Sequence, residues 1–87
     1  MQLKYQFIFQ PVGKTYMGVP VGESAKQFHG MLQLNEVGYD IVRQMEREVS
    51  RDEVIAALGE IYDAERATLE GYVDRVVEYL RGEGVLA

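Results

Sequence analysis

The chain has 87 residues, 47% hydrophobic and 26% charged, which points to one domain over residues 1–87 with a modest core. With no cysteine and one histidine, it excludes disulfides, thiolate metal sites, iron–sulfur clusters, a cysteine nucleophile and a multi-histidine metal centre. A net charge of −5 argues against unaided nucleic-acid binding. No apolar run approaches the ~20 residues that cross a bilayer, so a cytoplasmic protein without metal or cofactor is expected.

Tyr5, Phe7 and Phe9 alternate with Gln6, Ile8 and Gln10, the period-2 pattern of a first strand. Residues 12–15 read as a tight turn, with Gly13 free to take positive φ. A second strand runs from Thr15 to Val21, with Pro20 near its end. Residues 22–25 read as a loop, and Gln27–Leu34 as a third strand. Three strands with short connections make an antiparallel meander, with the third at an edge.

Asn35 is placed to cap a first helix that turns Val37, Ile41, Val42 and Met45 inward. Ser50 and Glu53 form the pattern of a capping box, flanked by Val49 and Val54. The second helix then buries Val54, Ile55, Leu58, Ile61 and Tyr62. Asp63 is the candidate cap of a third helix, whose stripe of Leu69, Val73, Val76 and Leu80 runs to about Gly82. Val85 and Leu86 are expected to fold back on the core. Charge divides along the same line. Residues 1–34 hold three lysines and one glutamate, net +2; residues 35–87 hold six basic and thirteen acidic side chains, net −7. The expected class is α+β, a three-stranded antiparallel sheet followed by three helices, in a winged helix-turn-helix-like shape.

Catalytic chemistry is scarce. His29 has no serine, cysteine or aspartate beside it, and Asp52-Glu53 is explained by capping and by favourable charge at a helix start. No phosphate-binding glycine loop or calcium-binding spacing occurs. Neither Ser24 nor Ser50 sits in the Asp-Ser-Leu context of a phosphopantetheine carrier. Recognition remains. An unprotected edge strand offers unpaired N–H and C=O groups, suited equally to an added peptide strand or to self-association.

The segments Gly13-Lys14-Thr15-Tyr16, Val19-Pro20-Val21-Gly22 and Gly30-Met31-Leu32-Gln33-Leu34-Asn35-Glu36-Val37-Gly38 resemble the pyrroloquinoline-quinone biosynthesis protein D (PqqD-like) family. Residues 50–58, Tyr62-Asp63, and Val76, Leu80 and Gly84 extend the likeness over about residues 4–86. Tyr39-Asp40-Ile41-Val42 departs from it by lacking the tryptophan common in that stretch. The resemblance implies a stand-alone recognition element of ribosomally made, modified peptides, without catalysis of its own. It implies that the leader segment of a precursor peptide is added beside the third strand, against the third helix. The peptide is then presented to a modifying enzyme, often a radical S-adenosylmethionine maturase.

On that reading the peptide contacts are Phe28, His29, Gly30, Met31, Leu32, Gln33 and Leu34 on the strand. Tyr72, Arg75, Val76 and Tyr79 supply the helix side. Lys14 and Lys26, with Arg75, would steer acidic peptide residues. Two other readings stand beside it: a winged-helix nucleic-acid binder, for which residues 50–62 offer one cation, Arg51, and a small structural adaptor.

Overall fold

Two strands, β1 (Phe7–Val12) and β2 (Thr15–Pro20), form a hairpin closed by Gly13 and Lys14. Gly13 has φ +63° and no other residue of the turn has positive φ, the backbone pattern of a type II′ hairpin, which demands glycine at its first loop position. The computed structural model describes residues 1–87. A third strand, β3 (Leu32–Leu34), pairs antiparallel with β2, in the sheet order β1-β2-β3.

The third strand is shorter than its sequence predicts. Ser24–Gln27 form a single helical turn, α1, and Phe28, His29, Gly30 and Met31 lie outside any strand. The cause is tertiary. Ser24 Oγ accepts from the Gln6 N–H at 2.8 Å, and the Phe28 N–H donates to the Ser24 carbonyl at 2.9 Å. The Phe28 ring then stacks on Tyr5 and meets Phe7 edge-on, each at 5.7 Å. Gly30 offers no side chain to hold a pleat.

On the inner sheet face, aromatic contacts continue from Phe7 to Phe9, from Phe9 to Tyr39, and from Tyr39 to Tyr16. The opposite face leaves Ile8, Val12 and Val19 exposed, with Ile8 and Val19 directly paired.

Three helices follow: α2 (Glu36–Gln44), α3 (Arg51–Ile61) and α4 (Arg66–Glu83). Asn35 Oδ1 caps α2 by accepting from the Gly38 N–H at 2.8 Å. Ser50 and Glu53 complete their capping box in both directions, at 2.8 and 3.1 Å. Gly84, at φ +73°, ends α4. Asp63 is not the cap of α4. That position is Glu65, without a side-chain bond. The first turn is held instead by Arg66, whose guanidinium donates to Asp52 at 3.0 Å and Glu70 at 2.9 Å. Arg51 grips Asp74 with two bonds, at 2.8 and 3.0 Å, tying α3 to α4. These pairs are exposed and each is worth ~0–1 kcal/mol, so apolar packing dominates.

The core holds fourteen buried hydrophobic residues and no buried charge. From α4 it takes Leu69, Val73, Val77 and Leu80. Val77 replaces the expected Val76, which is half-buried at the flank. Ile61 is exposed where burial was expected, and Tyr62 is half-buried, its hydroxyl donating to Asp40. Val85 is fully buried, and Leu3 bridges Leu86, so the two ends of the chain run side by side.

Ser50→Ala should lower stability by ~1 kcal/mol, read from urea unfolding. The Ser50 N–H also holds the Glu53 carboxyl below its ordinary value of 4.5. A depressed carboxyl contributes stability that is present above that value and is lost as pH falls through its folded pKa. The Ser50 hydroxyl lowers the same carboxyl, and the variant keeps only the N–H, so its acid-side loss should be smaller than that of the parent.

Candidate functional site

On α4, Tyr72, Arg75, Val76 and Tyr79 stand at i, i+3, i+4 and i+7 and share one helical flank. That flank faces β3. The Tyr79 hydroxyl accepts a hydrogen bond from the Gln33 N–H at 3.0 Å. Gln33 is opposite Met17 of β2, yet its N–H points the other way, toward α4. Successive residues of a strand send their backbone groups to opposite sides, so Leu32 and Leu34 pair with β2 and Gln33 faces the open edge.

Between this edge and α4 runs a cleft of 340 Å³. Gln33, Leu34 and Asn35 form one wall, Tyr72, Arg75, Val76 and Tyr79 the other, and Val37 and Gly38 of α2 line it with them. The Arg75 guanidinium lies 5.3 Å from the Tyr72 ring centroid, in cation–π contact. It has no carboxylate partner within the protein. Amides, phenols, apolar surface and one guanidinium line the cleft, with no carboxylate or imidazole. No cluster of three acidic or histidine side chains is placed to hold a metal. The arrangement offers backbone and side-chain contacts to an extended chain.

Of the residues predicted from sequence, Gln33, Leu34, Tyr72, Arg75, Val76 and Tyr79 come together in this cleft. Leu32 is fully buried in the core. Phe28, His29, Gly30 and Met31 are not on a pairing edge. Phe28 belongs to the aromatic cluster, and a side chain added at Gly30 would meet its ring at 3.0 Å. His29 is exposed, its Nε2 3.1 Å from the Lys26 carbonyl oxygen, and Met31 is exposed as well. Lys26 pairs with Glu23 at 3.3 Å, and Lys14 lines a separate hollow with Glu36, so neither reaches the cleft.

Asn35, Val37 and Gly38 are the lining residues that sequence reasoning missed. Their signal was the immediate succession of strand and capped helix: the first turn of α2 must sit at the end of β3. Gly38 is buried there, and a Cβ at this position would stand 3.1 Å from Asn35 Oδ1, so a larger residue would press on the cap.

The model of a protein family described as coenzyme PQQ synthesis protein D matches residues 13–86. The chain belongs to the PqqD family. The matched span of this PqqD-family chain begins at the hairpin turn and includes β2, β3 and every helix, so the whole cleft lies within it. No curated protein matches the sequence. A solved structure described as "TbiB1 in Complex with the TbiA(beta) Leader Peptide" is similar in fold, with a TM-score of 0.71 and 16% identity. The match covers 99% of this chain and 94% of that one, and at this identity it shows the shared fold.

Proposed function

We propose that this PqqD-family chain binds the leader segment of a ribosomally made precursor peptide as an added strand between β3 and α4. Having bound the peptide, it presents it to a modifying enzyme. The observation that carries this reading is the edge geometry: a β3 amide turned away from its own sheet, facing a cleft of mixed apolar and polar lining. An extended peptide beside β3 would pair with the outward backbone groups and drop alternate side chains toward Tyr72 and Val76. Arg75, lacking an internal partner, would favour an acidic peptide residue and speed its approach. The TbiB1 structure, with a leader peptide in its description, supports the same use of the fold. The family resemblance makes a radical S-adenosylmethionine enzyme the expected class of partner. The protein's own part is binding.

A library of random linear peptides supplies a probe. Selected peptides should shift the backbone resonances of Gln33, Asn35, Val76 and Tyr79, while duplex DNA at moderate salt leaves the spectrum unchanged. Peptide shifts confined to the exposed Ile8–Val19 face, or a sequence-selective response to duplex, would remove the reading. Elution of the free protein as a dimer whose β3 edge is covered by a second copy would favour the adaptor.

A further inference from the structure

The contact between Tyr79 and Gln33 has a steric consequence for any added strand. A strand pairing with β3 must bring a carbonyl oxygen to ~2.9 Å from the Gln33 nitrogen, along its N–H direction. The Tyr79 hydroxyl oxygen already stands 3.0 Å from that nitrogen. One N–H cannot point squarely at two oxygens, and two oxygens cannot share one place. We infer that Tyr79 is a latch on the β3 edge: its hydroxyl holds the Gln33 amide in the free protein and must swing out before a peptide strand can pair there.

This rests on the peptide-binding reading and deepens it. Tyr79 sits on the rim of the cleft, 36% exposed, with solvent on one side to move into. While closed, the latch satisfies the outward donor of a strand that would otherwise invite pairing with any exposed chain. It also sets a condition on the ligand. A molecule that only packs side chains against Tyr72 and Val76 leaves the latch shut. An extended main chain that offers a carbonyl to Gln33 replaces the lost bond. The latch therefore selects backbone pairing, and so an extended peptide over a docked helix.

Tyr79→Phe keeps the ring and removes the oxygen. In the free variant, the Gln33 amide should exchange with solvent faster than in the parent, while Leu32 and Leu34, paired to β2, keep their rates. Unchanged exchange at Gln33 overturns the latch. The binding arm uses a peptide selected from a random linear library on the parent protein and shown by NMR to shift the Gln33 amide. Tyr79→Phe should bind it roughly 2- to 10-fold more tightly, the net worth of one neutral hydrogen bond no longer broken on binding. Weaker binding by the variant would make the hydroxyl a contact within the complex and overturn the latch alone. A library that yields no peptide shifting the Gln33 amide overturns the peptide-binding reading and the latch with it.

Discussion

Gln33→Pro should remain folded and lose its peptide ligand, whereas Leu32→Pro should fail to fold. The two positions are neighbours with opposite duties. The Gln33 N–H faces α4 and bonds Tyr79, outside the β2–β3 ladder. Proline is tolerated on an edge strand where the missing N–H points outward, and the lost bond costs only ~0.5–1.5 kcal/mol. A pairing peptide, however, would lose its donor and leave a carbonyl unsatisfied, a penalty of ~1–3 kcal/mol, with the proline ring standing in its path. Leu32 pairs toward β2 and its side chain is fully buried. Proline there removes a ladder donor, ~3 kcal/mol or more by analogy with helix interiors, and truncates a core leucine. A domain this small has little stability in reserve. Thermal unfolding followed by circular dichroism, with calorimetric titration of a selected peptide, separates the outcomes. Normal peptide affinity in folded Gln33→Pro would rule out strand addition at β3.

Leu69→Ala and Tyr72→Ala should divide stability from binding on one helix. Leu69 is 3% exposed and belongs to the core, so its truncation should cost ~2–5 kcal/mol of folding free energy. Peptide affinity measured well below the lowered melting point should stay near that of the parent. Tyr72 is only half-buried, lines the cleft and lies under Arg75. Its removal should weaken peptide binding by ~1–3 kcal/mol, as for an aromatic anchor, and change stability far less than Leu69→Ala. A Tyr72→Ala protein that stays folded with undiminished affinity would take this wall of the cleft out of the binding site.

Local codes made much of this legible. The Asn35 cap, the Ser50–Glu53 box, the glycine turn at Gly13 and the glycine end at Gly84 are each settled within a few residues. Their sequence signals and observed geometries agree. The flank of Tyr72, Arg75, Val76 and Tyr79 was readable because helical spacing leaves few ways to group them. What failed depended on distant contacts. Phe28–Met31 alternate like a strand, but Ser24 is bound to Gln6, eighteen residues away, and the Phe28 ring is claimed by Tyr5 and Phe7. Val76 and Val77 are adjacent and equally apolar, so spacing alone could not say which faces the core. The outward turn of Gln33 rests on strand register, which a one-residue shift would reverse.

The three-residue length of β3 limits what its backbone can tell a ligand. With one residue of the strand turned outward, the ladder offers a single paired address. A peptide could slide by two residues and present an equivalent carbonyl to Gln33, because a strand repeats every second residue. Main-chain pairing would therefore say that an extended chain is present, and almost nothing about which stretch of it. The choice of stretch falls to the side chains that meet Tyr72, Arg75 and Val76. Ligands sharing a short pattern of apolar and acidic residues should be interchangeable, even where the rest of their sequences differ.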